Sequence, residues 1–349
     1  MLRIGVNALY LIPGGVGGTE IYLRNLLAAL AEIDSVNQYV VFTNRETGAD
    51  LVPQRANFRH APQNVRASFR PGRIVWEQFV LPFAARDVDI LLNPGFTAPI
   101  FCGCPMVTVF HDLQHKRHPE HFRWFDLPFW RFFLWAAARR SRGLIAVSGA
   151  TRNDLKHYYG VGARVIHHGV EPEFFEIAKS RRPKDYLLCV STLHPHKNLE
   201  RLVRVYGQAG GLPHLVITGL KGFAARRIQE LAGAPVKITG WIPRDELYEL
   251  FRGALGFIYP STFEGFGMPV LEAMAAGVPV ACSDIPPLRE IAGDTVRFFD
   301  PKSDAEMLDA LRALAAGTIP TEAAQRRAAE FTWEKTARET LDYLSRSSS

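Results

Sequence analysis

The segment Leu255-Gly-Phe-Ile-Tyr-Pro-Ser-Thr-Phe-Glu-Gly-Phe-Gly-Met-Pro-Val-Leu-Glu-Ala-Met-Ala-Ala-Gly-Val-Pro-Val-Ala-Cys-Ser-Asp284 indicates how this chain folds. Apolar strands are predicted over Leu255–Tyr259 and Val278–Cys282. The residues from Pro269 between them suit a helix, since proline is tolerated in a first helical turn. A strand, a helix and a second strand in this order are typical of a parallel sheet. The segment therefore predicts an α/β protein.

The same alternation of short β-branched runs and helical stretches continues along the chain. Strands are predicted over Leu2–Asn7, Tyr39–Thr43, Ile90–Asn93, Met106–Phe110, Gly143–Val147 and Arg164–Ile166, then over Tyr186–Ser191, Leu215–Thr218, Val236–Thr239, Leu255–Tyr259, Val278–Cys282 and Val296–Phe298. A polar stretch at 171–183, bracketed by prolines, is the predicted linker. We therefore expect two doubly wound Rossmann-like domains facing across a cleft, with ligands at the carboxyl ends of the strands.

Length and composition exclude several protein classes. The 349 residues are 47% apolar and 22% charged, which argues against a disordered, collagen-like or coiled-coil chain. No apolar run reaches the roughly 18 residues of a membrane-spanning helix. The four cysteines do not form a disulfide framework, and Cys102 and Cys104 lack further ligands at zinc spacing. We expect a reducing cytoplasmic location.

The net charge of +6 comes mainly from two basic stretches in the first half, at 55–86 and 116–142. A basic patch suits nucleic acid, an anionic membrane surface or a phosphorylated substrate, and it also arises on an ordinary solvated face. Charge alone leaves these alternatives open.

Two loops after predicted strands have residues that suit phosphate. Gly14, Gly15, Gly17 and Gly18 precede a helical pattern, so their backbone could approach an anion closely; a plain tight turn is the alternative. Their spacing does not fit the dinucleotide fingerprint. Lys197 lies in the loop after the strand Tyr186–Ser191, where it could act as a point charge on a phosphate or be an ordinary solvated lysine.

The loop that opens the helix at Pro269 has the most informative composition. The main-chain N–H groups of Phe266, Gly267 and Met268 lie at a positive helix end beside Glu264. Amide donors next to a carboxylate suit a polyol with a charged leaving group. Glu272 could accept hydrogen bonds from two adjacent ribose hydroxyls, or simply interact with the helix dipole.

With Glu264 and Glu272 separated by seven residues, this segment resembles the retaining glycosyltransferases of family 4, which have the GT-B fold. The resemblance covers nearly the whole chain. Its other motifs are the Gly14–Gly18 loop, Val109-Phe-His-Asp112, Val147-Ser-Gly-Ala-Thr151, His168-Gly-Val170, His196-Lys-Asn198, Gly240-Trp-Ile242 and Phe331-Thr-Trp333. It implies that a C-terminal helix at 329–349, ending in a Ser-rich tail, crosses back to an N-terminal domain at 1–178, with a nucleotide-sugar domain at 179–328.

The resemblance also implies roles for individual residues. Glu272 would hold the ribose, Glu264 would contact the transferred sugar, and Lys197 would bind the diphosphate. The arginine that the family usually has before that lysine is absent, and Thr192 and His194 occupy its neighbourhood. The donor-binding residues so implied are Gly14, Gly15, Gly17, Thr192, His194, Lys197, Gly240, Trp241, Ile242, Glu264, Gly265, Phe266, Gly267, Met268 and Glu272.

The expected catalytic residues are His111, Glu264 and Lys197. His111 matches a family histidine that hydrogen-bonds the donor sugar. The family retains the anomeric configuration without an agreed nucleophile, so Glu264 is expected to position and stabilise rather than to attack. The Asp87-Val-Asp89 pair precedes a strand, so no Asp-x-Asp metal motif is found in a suitable loop, and transfer without a metal or other cofactor is expected.

An aromatic stretch at 122–135, followed by arginines, is the candidate acceptor side. Phe125, Phe129, Phe132, Phe133 and Ala136 form one helical stripe that could pack on the domain. The tryptophans fall largely outside this stripe, which suits a helix at an anionic membrane interface; a buried helix or a dimer contact is the alternative. The membrane or acceptor residues so predicted are Trp124, Trp130, Trp135, Arg139 and Arg140.

The expected function is transfer of a hexose or deoxyhexose, mannose favoured, from a nucleotide-diphosphate sugar to a glycan or lipid-linked acceptor in cell-surface polysaccharide synthesis. The expected site of action is the inner face of the cell membrane, without nucleic acid as a partner. The alternatives are a nucleotide-sugar epimerase or a glycan phosphorylase of the same fold, and a non-catalytic basic binding module.

Overall fold

The computed structural model describes residues 1–15 and 17–348. Met1–Gly169, with the residues from Trp333 on, form one compact unit (unit 1), and Val170–Thr332 form another (unit 2). The first division therefore precedes the boundary predicted after residue 178. The predicted linker contains a helix whose Phe174 and Ile177 are buried, and this burial makes the helix part of unit 2.

Unit 1 is a parallel sheet of seven strands in the order β3-β2-β1-β4-β5-β6-β7. Its strands are β1 (Arg3–Asn7), β2 (Gln38–Thr43), β3 (Phe58–Pro62), β4 (Ile90–Asn93), β5 (Met106–Phe110), β6 (Gly143–Ala146) and β7 (Arg164–Val165). Its helices are α1 (Gly18–Ile33), α2 (Arg70–Phe79), α3 (Leu81–Ala84), α4 (Gln114–Arg117), α5 (Leu127–Arg140), α6 (Gly149–Tyr159) and α15 (Trp333–Ser348).

Unit 2 is a parallel sheet of six strands in the order β10-β9-β8-β11-β12-β13. Its strands are β8 (Tyr186–Val190), β9 (His214–Thr218), β10 (Val236–Gly240), β11 (Gly256–Tyr259), β12 (Val280–Ser283) and β13 (Arg297–Phe299). Its helices are α7 (Pro172–Lys179), α8 (Leu199–Gln208), α9 (Ala225–Leu231), α10 (Arg244–Gly253), α11 (Met268–Ala275), α12 (Pro286–Ala292), α13 (Asp304–Ala315) and α14 (Glu322–Ala328).

The two doubly wound sheets confirm the predicted fold class, and twelve of the strands were predicted. The strand that the sequence analysis missed is β3. It lies at the edge of its sheet, none of its five residues is buried, and it ends in a proline, so it lacks the apolar pattern of the central strands.

The C-terminal helix α15 packs against α1, as expected. Thr336 donates from its hydroxyl to the carbonyl of His167 at 2.7 Å, and the Leu144 amide donates to the Tyr343 hydroxyl at 3.2 Å. The helix continues to Ser348, so three serines of the predicted tail are helical, and Ser349 lies outside the described residues.

In each sheet, the strand order reverses between two central neighbours. This happens between β1 and β4 in unit 1, and between β8 and β11 in unit 2. Doubly wound sheets bind ligands at such switch points, outside the carboxyl ends of the strands. The loops after these four strands are therefore the places to look for a site.

Candidate active site

Lys197 and Glu264 meet at the switch point of unit 2. Lys197 follows β8 and Glu264 follows β11, and the Lys197 Nζ donates to Glu264 Oε1 at 2.6 Å. The same ammonium group lies 3.3 Å from the Tyr259 hydroxyl. Both ionic side chains are mostly buried, 14% and 10% exposed. The structure thus brings together two of the three predicted catalytic residues, which are far apart in the sequence.

Hydrogen bonds between the two loops hold this pair in place. The Asn198 side-chain amide donates to the carbonyls of Pro260 and Pro301, at 3.1 and 2.9 Å. Asn198 has a φ of 58°, a left-handed conformation that asparagine tolerates better than most residues. Thr262 donates to the His196 carbonyl from its amide at 2.8 Å and from its hydroxyl at 3.0 Å. These hydrogen bonds fix the turn that contains Lys197.

The turn before α11 depends on glycine. Gly267 has a φ of 115°, and a Cβ at this position would lie 2.4 Å from Leu288 Cδ2. The N–H groups of Gly267 and Met268 precede the first helical hydrogen bonds, which Val270 and Leu271 donate to the Gly267 carbonyl. This is the predicted positive helix end. The Phe266 ring is buried and lies 6.2 Å from that of Phe331.

Glu272 is buried in α11 and is held by a residue that the sequence analysis missed. Arg244, the first residue of α10, donates to Glu272 Oε1 at 2.8 Å and to Glu171 Oε2 at 2.7 Å. The Tyr248 hydroxyl also donates to Glu171, at 2.7 Å. The Arg244 guanidinium lies 5.1 Å from the centre of the Phe174 ring. No spacing pattern links Arg244 to carboxylates 28 and 73 positions away, and Glu171 was predicted to be linker.

Two carboxylates share one guanidinium in this cluster, and burial shifts the pKa values of both the acidic and the basic groups. Burial raises the pKa of Glu272, and the nearby Glu171 adds to this effect, while Arg244 opposes it. Burial alone would lower the pKa of Arg244, but the two carboxylates raise it above its ordinary value. Arg244 therefore remains charged and fixes the orientation of the Glu272 carboxylate.

The remaining predicted donor residues of unit 2 lie in neighbouring loops. Gly240 ends β10 with a φ of 78°, and the Trp241 side chain after it is 58% exposed. Ile242 follows in the same loop, and Thr192 and His194 precede Lys197 after β8. The His194 ring lies 5.8 Å from that of His196, in parallel, and 5.4 Å from that of Phe223.

In unit 1, His111 follows β5 and is buried. Its Nε2 lies 2.8 Å from the Pro94 carbonyl oxygen. Because a carbonyl only accepts, Nε2 must carry the proton. Burial lowers the pKa of His111 to about 4, although the carbonyl opposes this. At neutral pH the ring is therefore uncharged, and Nδ1 is a hydrogen-bond acceptor.

Aromatic rings surround His111. Tyr22, Phe96 and His168 have their ring centres 5.0, 5.1 and 5.4 Å from it. Phe96 has a φ of 70°, which is rare for a bulky residue and costs conformational energy. The loop that follows β4, at the switch point of unit 1, thus contains both the strained Phe96 and the Pro94 carbonyl that orients His111.

The glycine-rich loop of unit 1 is less open to an anion than expected. The Gly14 amide donates to Glu20 Oε2 at 2.8 Å, and Glu20 also pairs with Arg24 at 2.9 Å. Because the Gly14 N–H already donates to the Glu20 carboxylate, it is not directed at a ligand. A Cβ on Gly17, which precedes α1, would meet no atom within 4 Å, and Val16 lies outside the described residues.

The aromatic helix α5 packs differently from the prediction. Its buried residues are Leu134, Ala136, Ala137 and Ala138. In the predicted packing stripe, Ala136 is buried and Phe129 and Phe133 are partly buried, as expected. Phe125 and Phe132 are 56% and 50% exposed, so for these two residues the expectation was wrong. The small alanines allow a close approach to the sheet, and the larger rings are displaced outward.

The three tryptophans near α5 have different environments. Trp124 and Trp135 are 83% and 46% exposed. Trp130 packs against the core of unit 1 under the Arg70 guanidinium, 5.0 Å from its ring centre, and is thus ill placed to meet a membrane. Arg139 and Arg140 are exposed at the end of the helix.

One set of potential metal ligands occurs within residues 1–15 and 17–348. His118, Glu120 and His121 place their ligand atoms within 4.8 Å of one another, in unit 1. The helices described by the structure include none with the length and apolar character needed to cross a membrane.

Comparisons with known proteins agree on one family. Residues 170–331 match the family described as glycosyl transferases group 1, and residues 16–174 match glycosyltransferase family 4. The O-antigen chain mannosyltransferase B of Escherichia coli is 26% identical, over 94% of this chain and 95% of its own length.

Solved structures show the same fold. Sucrose-phosphate synthase from Thermosynechococcus elongatus is 19% identical and superposes with a TM-score of 0.79, over 99% of each chain. Anabaena HepE, in complex with UDP and glucose, is 18% identical with a TM-score of 0.76, over 99% of this chain and 100% of its own.

Proposed function

Because the chain belongs to the group 1 glycosyltransferases of family 4, a family of retaining hexosyltransferases, we propose that it transfers a hexose from a nucleotide-diphosphate sugar to a glycan or lipid-linked acceptor. Mannose is the favoured sugar, since a relative that matches nearly the full length is named as an O-antigen chain mannosyltransferase. The proposed setting is cell-surface polysaccharide synthesis at the inner face of the membrane. The observation that carries the proposal is the buried Lys197–Glu264 pair at the switch point of unit 2.

The diphosphate of the donor is the proposed partner of Lys197. In the structure, Lys197 is bound to Glu264 at 2.6 Å. An incoming diphosphate carries more charge than one carboxylate and accepts hydrogen bonds through several oxygens, so it competes for the ammonium group. Glu264 can then accept hydrogen bonds from the hydroxyls of the sugar. Binding of the diphosphate to Lys197 thus releases Glu264 from Lys197 at the same time.

Glu272 is proposed to hold the ribose, and Arg244 is proposed to position it. The guanidinium fixes Glu272 Oε1 at 2.8 Å and is itself anchored by Glu171. A carboxylate oxygen has more than one lone pair, so Glu272 can accept from adjacent hydroxyls while it remains bonded to Arg244. The loop at Gly240–Ile242 is the proposed neighbour of the base.

His111 is proposed to accept a hydrogen bond from a hydroxyl of the donor sugar. Its proton is fixed on Nε2 by the Pro94 carbonyl, which leaves Nδ1 as the acceptor. The low pKa of about 4 means that His111 is not an acid at neutral pH. It therefore orients the sugar rather than protonating the leaving group.

In the proposed reaction, the leaving diphosphate takes the proton of the acceptor hydroxyl on the face where the new bond forms. Lys197 and the amides at the start of α11 stabilise the charge that develops on the diphosphate. Glu264 stabilises positive charge on the sugar and is not the nucleophile. No step assigned to these residues requires a metal ion.

Exposed aromatic and basic residues of unit 1 support a membrane-associated acceptor. Trp124 and Trp135 are exposed, and Arg139 and Arg140 follow near the end of α5. Exposed aromatic rings beside arginines suit the interface of an anionic bilayer. Replacing Trp124 and Trp135 with alanine should reduce co-sedimentation of the protein with anionic liposomes. The same replacement should leave co-sedimentation with neutral liposomes unchanged. A variant that binds anionic liposomes as well as the wild type does would contradict this role.

The test of the function is a panel of nucleotide-diphosphate sugars, scored by thermal shift and by slow hydrolysis of the donor. Glu272→Ala should mainly weaken nucleotide binding, and Glu264→Ala should mainly lower turnover. Glu230→Ala is the control, because Glu230 is a half-exposed residue of α9 that pairs with Arg226 and Arg227 on the same helix. Full activity of both site variants would refute the assignment. Epimerised sugar formed without an acceptor would indicate an epimerase instead.

A further inference from the structure

The loop between β4 and β5 contains two cysteines separated by one residue. The Sγ atoms of Cys102 and Cys104 lie 3.4 Å apart, and both side chains are partly exposed. The other two cysteines, Cys189 and Cys282, are buried in unit 2. A disulfide has a sulfur–sulfur distance of about 2.05 Å, so Cys102 and Cys104 are close to bonding distance as free thiols.

There is open space beside the backbone between the two cysteines. A Cβ on Gly103 would meet no atom within 4 Å, so this turn is bordered by solvent. Small changes of the cysteine rotamers, with a glycine between them, can bring the sulfurs closer by the remaining ~1.4 Å. The two cysteines have no further ligands at zinc spacing in the sequence, and in the structure the two sulfurs are partners of each other.

The two thiols are not equivalent. A hydrogen bond from Cys104 lowers the pKa of the Cys102 thiol, although burial opposes this. The same bond, together with burial and the charge of Asp89, raises the pKa of Cys104. Either sulfur can be the donor of this hydrogen bond, so one thiol can stabilise a thiolate on the other, and the lowered pKa favours Cys102 as that thiolate. Thiol–disulfide exchange needs one attacking thiolate and one resolving thiol.

Both cysteines line a surface cavity of about 390 Å³ that also includes Arg140 and Arg142. The Arg140 guanidinium lies 5.4 Å from the centre of the Phe101 ring, which borders the same cavity. Throughout residues 1–15 and 17–348, no carboxylate forms an ion pair with either arginine. The cavity therefore combines a reactive thiol with two positive charges, which suits a small anionic molecule.

We propose that Cys102 and Cys104 form a reversible intramolecular disulfide by exchange with an anionic disulfide of the glutathione class, which Arg140 and Arg142 attract to the cavity. The Cys102 thiolate attacks one sulfur of that disulfide; the sulfur–sulfur bond breaks, and one thiolate leaves with the electron pair. Cys104 then loses its proton to water and attacks the Cys102 sulfur, which releases the second thiolate. Two protein thiols are oxidised, and one disulfide is reduced to two thiols. Cytosolic disulfides are typically transient bonds of this kind.

The experiment exposes the reduced full-length protein to glutathione disulfide and measures its intact mass, followed by peptide mapping. The expected product has lost about 2 Da through one new bond, located between Cys102 and Cys104, while Cys189 and Cys282 stay reduced. Cys104→Ser should stop at a mixed disulfide of Cys102 with glutathione. Reduced glutathione should restore the starting mass of the wild type.

The arginines are tested with a second oxidant. Replacing both Arg140 and Arg142 with glutamine should slow oxidation by glutathione disulfide several-fold and leave the rate with neutral hydroxyethyl disulfide unchanged. The proposal is overturned if the wild type stays reduced or stops at the mixed disulfide. Equal slowing with both oxidants would overturn the anion-binding part. The assay uses no nucleotide sugar, so its result is independent of the proposed transferase activity.

Discussion

Replacing Arg244 with alanine should destabilise unit 2 by about 3 kcal/mol. The guanidinium bonds to Glu272 at 2.8 Å and to Glu171 at 2.7 Å, and the three side chains are only 29%, 7% and 15% exposed. Breaking a buried ion pair by removing one partner costs about 3–5 kcal/mol, because a buried charge is left unpaired. The partial exposure of Arg244 places the expected loss at the lower end. Urea unfolding of the full chain, followed by circular dichroism, measures it.

The same substitution should weaken binding of a nucleoside diphosphate by about tenfold, the equivalent of roughly 1.4 kcal/mol, because Glu272 loses its orienting partner. Arg226→Ala is the control. Arg226 is 92% exposed and pairs with Glu230 on α9, so its loss should cost well under about 1 kcal/mol. Adding Glu171→Gln to Arg244→Ala should recover part of the stability, since one unpaired carboxylate disappears. An Arg244→Ala protein as stable as the control variant would refute the reasoning.

Three further predictions concern pH, charge and metal. Burial lowers the pKa of His111 and His115 to about 4, and that of His168 well below 6.5. Below about pH 6.5 the unfolded chain therefore takes up protons that the folded chain does not. The free energy of unfolding should fall between pH 6.5 and pH 4 by about 3 kcal/mol for each of His111 and His115. A free energy of unfolding that is constant over this range would contradict the prediction. Glu264→Gln should lower the turnover of donor hydrolysis by about a hundredfold without weakening nucleotide binding, because the neutral amide competes less for Lys197; steady-state kinetics and calorimetry can show both. Treatment with a chelator should leave the transfer rate within about twofold, whereas a rate abolished by the chelator and restored by a divalent ion would assign part of the charge stabilisation to a metal.

The sequence was sufficient to predict the central strands, because central parallel strands are buried on both faces and are apolar in sequence. β11 and β12 show this clearly, since all their residues are buried. The edge strand β3 was not predicted for the converse reason: none of its residues is buried, so its composition is not apolar. On α5, the sequence predicted the helix but only part of its buried face, because alanines in tight contact with a sheet can displace larger rings to the surface.

The sequence by itself determined the two parallel sheets, the loops that carry Lys197 and Glu264, the helix that carries Glu272, and the family to which these motifs belong. Only the tertiary structure decided which charges meet: Lys197 with Glu264, and Arg244 with Glu272. It also decided the tautomer of His111, through a carbonyl that lies 17 positions earlier in the chain. The physical reason is that the hydrophobicity of a segment and its periodicity are local properties of the sequence. The pairing of two charges depends on which strands become neighbours, and sequence spacing does not contain that information.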